Sequence, residues 1–288
     1  MNAGKCGAGR ARPRRRFLAG CAGLATLALV PPAGCALAAA GADALRIQRL
    51  AWAGIRLQLP RETLFIDPLA SPEAWGTALR DRLIPVDDAV GSTNVLITHA
   101  HNDHFDAAAV ATALARGGTL VHALGAAPRP TPANAQLRPS ALWEPQLLGG
   151  FTAAAVPAVD GNGDPQVSWV VTAGGRRIFH GGDTLWHGNW WRIARQFAPF
   201  DAVFLPINGA RFGFLKPAVE QPGVLTPEQA VAAATILGTR RLIPIHYGIA
   251  GMDEYVEVED AIGRLREAAQ GKPLAIQALA PGDWLDWE

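Results

Sequence analysis

The chain has 288 residues with 26 basic and 25 acidic side chains, but the two signs are unevenly placed. Six basic residues (Lys5, Arg10, Arg12, Arg14, Arg15 and Arg16) precede the first acid, Asp43, so residues 43–288 hold 20 basic against 25 acidic groups, a net −5. A mildly acidic domain without a basic stripe gives no footing for nucleic-acid binding. All three cysteines (Cys6, Cys21, Cys35) lie in the first forty residues, which leaves the remainder without a disulfide, a thiolate ligand or a cysteine nucleophile.

Residues 1–40 read as an export leader. Arg14-Arg15-Arg16-Phe17-Leu18 fits the twin-arginine pattern, an uncharged Ala/Leu-rich run follows to Val30, and Ala36-Leu37-Ala38 offers a small-x-small cleavage site. Gly20, Gly23, Pro31 and Pro32 interrupt that run, which is short for a membrane span. The expected route is the twin-arginine translocase, which carries folded chains. The expected destination is the periplasm or the exterior, with an uncleaved anchor or a lipoprotein as the alternatives. Residues 41–288 then form one domain, long enough to bury a single sizeable core.

Along that domain, strand and helix signals alternate without a linker. Leu45 to Trp52, Arg56 to Leu59 and Thr63 to Ile66 read as an opening set of strands, and Val95-Leu96-Ile97 as a buried one. Asp106 stands as the N-cap of a helix over Ala107 to Ala115, followed by a strand at Thr119 to Ala123. Ala126 to Glu144, rich in Pro, Ala and Asn, is expected to be an irregular surface insertion. Strands resume at Thr152 to Val156, Val167 to Val171 and Arg177 to His180. A helix around Trp191 to Phe197 leads to a buried strand at Ala202 to Ile207. Thr226-Pro227-Glu228-Gln229 has the wording of a capping box with Pro at N1, and the last helix, about Glu259 to Gln270, stops at Gly271. Two β-rich runs, each followed by helices, predict two packed sheets under outer helices, an α/β architecture.

The densest chemistry lies in Thr98-His99-Ala100-His101-Asn102-Asp103-His104, directly after the Val95-Leu96-Ile97 strand. His99 and His101, two apart, project to one side of extended backbone. Asp103 and His104 approach from the turn that follows. Three imidazoles and a carboxylate are ligands suited to zinc and its neighbours, and three of the chain's seven histidines fall in this one stretch.

The pattern His-x-His-x-Asp-His after a buried strand resembles the signature of the metallo-β-lactamase superfamily. That resemblance implies a four-layer αββα sandwich with a binuclear metal site at one edge. It also implies a bridging Asp183 in His180-Gly181-Gly182-Asp183 and a closing His246 in Leu242-Ile243-Pro244-Ile245-His246. With Phe65-Ile66-Asp67-Pro68, the wording is most similar to the branch of ascorbate-phosphate lactonases and N-acyl phosphatidylethanolamine phospholipase D. One position departs from the family. Where a Pro-Ala-x-His pattern would supply a further ligand, this chain has Pro157-Ala158-Val159-Asp160-Gly161-Asn162-Gly163-Asp164. Asp160, or Asp164 in the same loop, is the candidate replacement, and a carboxylate there favours harder ions such as Mn²⁺ or Fe²⁺. Both aspartates also suit a Gly-rich turn.

The implied set is His99, His101 and Asp160 for one ion, and Asp103, His104 and His246 for the other. Asp183 lies between them, with zinc the expected metal, and Asp103 is the candidate to orient the attacking water or shuttle its proton. Asp67 reads either as an orienter of a ligand histidine or as a strand-end turn residue. His180 either faces the metals or is buried away from them. His187 is a candidate substrate contact, proton donor, replacement ligand or plain pocket wall. The expected function is metal-dependent hydrolysis of an ester, lactone or phosphodiester in a small or lipid-like substrate. The alternative is a non-hydrolytic relative, either a redox di-iron protein or a binding module. His101 stands where the oxygen-reducing di-iron branch has Glu.

Overall fold

The computed structural model describes residues 45–71 and 73–288; the expected export leader lies outside the described residues. The first sheet is built in chain order from β1 (Arg46–Arg49), β2 (Ile55–Leu59), β3 (Glu62–Ile66), β4 (Ser92–Leu96), β5 (Gly118–Ala123) and β6 (Gln136–Ser140). Its first two pairings are antiparallel and the rest parallel. Helix α1 (Ala107–Ala113) is the crossover between β4 and β5. The second sheet starts with β7 (Pro145–Leu148), β8 (Phe151–Pro157), β9 (Val167–Ala173) and β10 (Arg176–His180) as an antiparallel run. After α2 (Trp190–Phe197) it continues with β11 (Ala202–Pro206) parallel to β10. A two-stranded ribbon lies outside both sheets, β12 (Arg211–Phe212) against β14 (Tyr255–Val256), with α3 (Pro227–Ile236) and β13 (Arg241–Ile245) between them in sequence. Helix α4 (Ala261–Ala269) and β15 (Ala275–Ile276) end the fold, and the second sheet is ordered β15-β13-β11-β10-β9-β8-β7.

The layering follows from strand alternation. On β8, Ala153 and Ala155 enter the core between the sheets, while Ala154 and Val156 face the helices. On β11, Ala202 and Phe204 point inward, and Val203 and Leu205 pack outward under α3. The first sheet repeats the pattern, with Leu64, Ile66, Leu96 and Val121 inside and Phe65, Val95 and Leu120 outside, against Val110 and Leu114 at α1. Both faces of the central strands are therefore covered, which is why their sequences are apolar runs rather than alternating ones. Each fully buried Phe or Leu here contributes on the order of 1.5–3 kcal/mol. Three cores between four layers give the expected αββα sandwich.

Helix ends follow the sequence cues. Thr226 and Gln229 form the reciprocal capping box. Asp106 caps α1 through Ala108 N–H and Ala109 N–H, and its second oxygen takes Ala70 N–H and Ser71 N–H, tying the histidine loop to the end of the β3 segment. The reading of Ala126 to Glu144 as irregular is corrected, because β6 lies inside it and pairs parallel with β5. That strand is an edge with a largely exposed face, so it needs no apolar pattern and tolerates Pro139.

Strand direction gathers the functional residues. β3 and β4 end together at Asp67 and Thr98-His99, and the parallel strands β10 and β13 end at Asp183 and His246. β8 runs with β10, since both are antiparallel to β9, and it delivers Asp160 to the same edge. Cross-sheet bonds join these edges: Val167 N–H to Thr98 O at 3.0 Å, Trp169 Nε1–H to Ile97 O at 3.0 Å, and His246 N–H to Trp52 O at 3.2 Å.

Candidate metal centre

At that edge three groups of ligand atoms overlap: His99, His101, Asp160 and Asp183; His99, Asp103 and His104; His104, Asp183 and His246. Asp183 is central, its Oδ2 lying 3.8 Å from His99 Nε2 and 3.9 Å from both His104 Nε2 and His246 Nε2. Gly182 allows the approach, having φ of 67° and lying where a Cβ would come within 3.1 Å of the Thr98 side chain. Asp103 Oδ2 stands 3.7 Å from His104 Nε2 and 3.8 Å from His246 Nε2. His99 Nε2 and His101 Nδ1 are 2.9 Å apart.

Asp67 is buried beneath this group and works on two of its members. Its Oδ1 accepts from Thr98 N–H at 2.8 Å, and its Oδ2 accepts from Thr98 Oγ1–H at 2.7 Å and from His104 Nδ1–H at 2.8 Å. With its proton given to Asp67, the Thr98 hydroxyl is left to accept from His99 Nδ1 at 3.0 Å. Both imidazoles are thus fixed with Nε2 toward the cluster, the tautomer a metal ligand needs. Trp52 supports the other half. Its Nε1–H donates to Asp103 Oδ2 at 3.2 Å, and its ring lies over His246 with centroids 4.0 Å apart. Its backbone N–H is in turn held by Asp81, which is paired with Arg49. Trp52, Asp67 and His246 all have left-handed backbone, with φ of 58°, 47° and 55°. Such strain in non-glycine residues persists where surrounding structure enforces it, and it gathers at functional sites.

Asp160 does two things at once. Its Oδ1 accepts from Asn162 N–H at 2.6 Å and Asp164 N–H at 3.2 Å, the turn that the Gly-rich sequence predicts, while Oδ2 lies 3.7 Å from His101 Nδ1. Asp164 is not in the cluster; its carboxylate meets the far nitrogen of His101, Nε2, at 2.9 Å. His180 is not brought to the cleft either. Fully buried, it spends Nε2–H on Ala53 O at 2.8 Å and accepts Gly182 N–H on Nδ1, so neither nitrogen is left to face the cleft. His187 stacks on Trp190 at 4.3 Å and accepts Asn189 N–H, outside both the cluster and the cleft lining. Trp52, Thr98, Trp75 and Tyr255 carry no signal in the local sequence. Only their long-range contacts reveal them.

The electrostatics call for a cation. Burial, then the neighbouring Asp183 carboxylate, pushes the Asp160 carboxyl up. Burial alone would raise Asp103 and Asp183 as well, but the surrounding imidazoles hold both below the usual carboxylate range. Burial lowers His99 to about 4 against the pull of Asp183. His104 goes the other way: burial would lower it, yet Asp103, Asp67 and Asp183 raise it to about 10. His104 Nε2 and His246 Nε2 are buried without a hydrogen-bond partner, and each lies 3.9 Å from Asp183 Oδ2; orphaned nitrogens facing one carboxylate oxygen fit a metal ion. A raised His104 stabilises the metal-free fold fully below its ordinary pKa of 6.5 and loses that contribution as pH rises through about 10. A ligand imidazole must be neutral, so metal uptake at pH 8 is expected to release about one proton from this residue. Titration calorimetry in buffers of different ionisation enthalpy checks this; a heat independent of buffer would contradict it.

The cluster floors a cleft of about 390 Å³ lined by His101, Asp103, Asp160 and Asp183 on one side. Trp75, Phe212, Phe214, Met252, Glu254 and Tyr255 form the other.

Comparison with known proteins agrees with this geometry. The chain matches the β-lactamase superfamily domain over residues 62–247, a span that holds every residue of the cluster. It is 29% identical over 270 residues to a UPF0173 metal-dependent hydrolase of Rubrobacter xylanophilus, covering 83% of this chain and 96% of the relative. Among solved structures it resembles Igni18, a metallo hydrolase from Ignicoccus hospitalis, with TM-score 0.60 and 18% identity over 84% of this chain and 97% of that one. It also resembles CmlA, a diiron β-hydroxylase from Streptomyces venezuelae, with TM-score 0.60 and 15% identity over 84% of this chain and 54% of that one. These structural likenesses carry the fold, and the domain match carries the family: the chain belongs to the β-lactamase superfamily.

Proposed function

We propose that this protein is an exported metal-dependent hydrolase that acts on an ester, lactone or phosphodiester bond. The observation that carries the reading is the convergence of buried, unpartnered His104 Nε2 and His246 Nε2 with Asp183, His99, His101, Asp103 and Asp160 at the floor of an open cleft. His99, His101 and Asp160 would hold one ion, Asp103, His104 and His246 the other, with Asp183 shared. The imidazole-rich set suits zinc, and the carboxylate at position 160 also admits Mn²⁺ or Fe²⁺. When bound, such ions lower the pKa of a water from roughly 15.7 toward about 7 and polarise the scissile carbonyl or phosphoryl oxygen.

The chain's own residues do the positioning. Asp103, kept ionised by its imidazole neighbours, accepts a hydrogen bond from the attacking water and receives its proton in transit to the leaving group. Trp52 fixes the carboxylate that does so. Replacing Trp52 with Phe keeps a ring over His246 and deletes the bond to Asp103. A bond to a charged acceptor is worth about 1.5–3 kcal/mol, so kcat is expected to fall about 10- to 100-fold with KM little changed. Steady-state kinetics of the metal-loaded variant checks this, and an unaltered kcat would remove Trp52 from the account.

The hydrolase reading is tested by assaying the metal-loaded chain against esters, lactones and phosphodiesters, with chelator as control. Metal uptake without turnover of any class would leave a binding module or redox protein instead, and the carboxylate at position 160 suits the harder metal of that second reading. The wording around Asp67 and His246 favours the lactonase-like branch. Arg14-Arg15 and Ala36-Leu37-Ala38 favour twin-arginine export, and recovery of the full-length chain from the cytoplasm alone would refute it.

A further inference from the structure

The cleft is charged only at its floor. Among the described residues outside the cluster, Glu254 is the one charged side chain that lines it, and no lysine or arginine does. The basic groups nearest in sequence are engaged elsewhere: Arg211 pairs with Glu220, and Lys216 donates to Gly213 O at 2.6 Å. Arg176 and Arg177 sit at the start of β10, the end opposite Asp183, where Arg176 pairs with Asp201. A negative charge on a substrate's distal part would meet no cation and one carboxylate.

The wall instead offers rings in sequence. From Trp75, which lies 5.2 Å from the buried Trp52 ring, they run to Tyr255 at 4.5 Å, Phe212 at 5.6 Å and Phe214 at 5.1 Å, centroid to centroid. The last three are nearly parallel, Tyr255 and Phe212 inclined by 24° and Phe212 and Phe214 by 18°. Phe214, at the end of the row, lines the cleft and is 44% exposed. Near-parallel rings at this spacing are the arrangement into which a further flat ring stacks. An apolar wall with a few polar groups at one end is the make-up of a small-molecule site.

Building on the hydrolase reading, we propose that the substrate is an uncharged carboxylic ester or lactone carrying an aromatic arm, with Phe212 and Phe214 as the specificity wall. The carbonyl faces the floor and the ring lies along the wall. Water oxygen forms a bond to the carbonyl carbon and the acyl C–O bond breaks. One water proton goes to the departing alkoxide, giving the alcohol, and the other leaves as the acid product ionises.

The test uses the metal-loaded full chain and two esters with one leaving group, neutral p-nitrophenyl butyrate and anionic mono-p-nitrophenyl glutarate, beside bis(p-nitrophenyl) phosphate. Binding of p-nitrobenzyl alcohol is followed by saturation-transfer NMR. The neutral ester is expected to show a kcat/KM about tenfold or more above its charged twin. Phe214→Ala and the milder Phe212→Leu are expected to raise KM about fivefold or more at little cost in kcat, the signature of uniform binding. Equal or faster turnover of the glutarate or the phosphodiester overturns the proposal and leaves the hydrolase reading standing. So does a KM unmoved in both variants at wild-type Tm. No turnover, with ring binding that Phe214→Ala weakens, sinks the hydrolase reading and upholds the aromatic wall. No ring binding overturns the wall as well.

Discussion

Asp183→Asn is expected to abolish the shared metal position and to lower kcat/KM by about 10³-fold or more, the loss of several kcal/mol of charge stabilisation. The substitution keeps the shape of the side chain and removes its charge. It acts where one carboxylate oxygen lies within 3.9 Å of three imidazole nitrogens, two from the loop after β4 and one just past β13. Asp183 also belongs to two of the three ligand groups, the one with His99, His101 and Asp160 and the one with His104 and His246. Metal content of the purified variant is expected to fall to one ion per chain or fewer, with the far-ultraviolet spectrum unchanged. A variant that keeps both its metal and its turnover would show that Asp183 is a bystander.

Asp67→Ala is expected to be the most destabilising single change at the site. The carboxylate is fully buried and accepts three hydrogen bonds, from Thr98 N–H, Thr98 Oγ1–H and His104 Nδ1–H. Removing it strands all three donors and leaves His104 without its partner. A broken buried pair of this kind costs about 3–5 kcal/mol. Asp67→Asn is the gentler probe, expected to fold while losing about 10- to 100-fold in metal affinity because the imidazole is no longer oriented by an anion. Burial works to raise Asp67, but His104 and Thr98 hold it below the ordinary value of 3.8. Its contribution is therefore present above pH 3.8 and is lost as pH falls through the lower folded-state value. The stability gap between wild type and Asp67→Asn is thus widest near neutrality and closes in acid, which denaturant titrations at several pH values check. A gap that widened in acid would contradict the pairing.

The residues of the candidate metal cluster are legible in the sequence because their signal is local. His99, His101, Asp103 and His104 fall within six positions after a strand, and Asp183 and His246 each end an apolar run, so topology alone had to bring them together. Asp67 was open between two readings until the fold placed it against His104, and His180 until its two nitrogens were found spent on Ala53 and Gly182. Asp160 reads from sequence as ligand or as turn residue; its Oδ1 closes the turn, while its Oδ2 lies 3.7 Å from His101 Nδ1. What the sequence could not reveal is held by distant partners. Trp52 reaches Asp103 across 51 positions, and the row from Trp75 through Tyr255 to Phe214 exists only once the β12–β14 ribbon is laid beside the cleft. β6 escaped for a different reason: an edge strand with a wet face carries little of the hydrophobic pattern by which strands are read.

The measurement closest to the centre of this account is metal content per chain, by elemental mass spectrometry, of protein folded in its native host and purified without chelator, wild type beside Asp160→Ala. Two equivalents of transition metal in the wild type, falling toward one when Asp160 is lost, is the predicted result. It would make the carboxylate at position 160 a working replacement for the histidine that the metallo-β-lactamase resemblance implies. A wild-type chain that holds no metal and takes none up on reconstitution would contradict the account, leaving the convergence of His99, His101, His104, Asp183 and His246 without its proposed purpose.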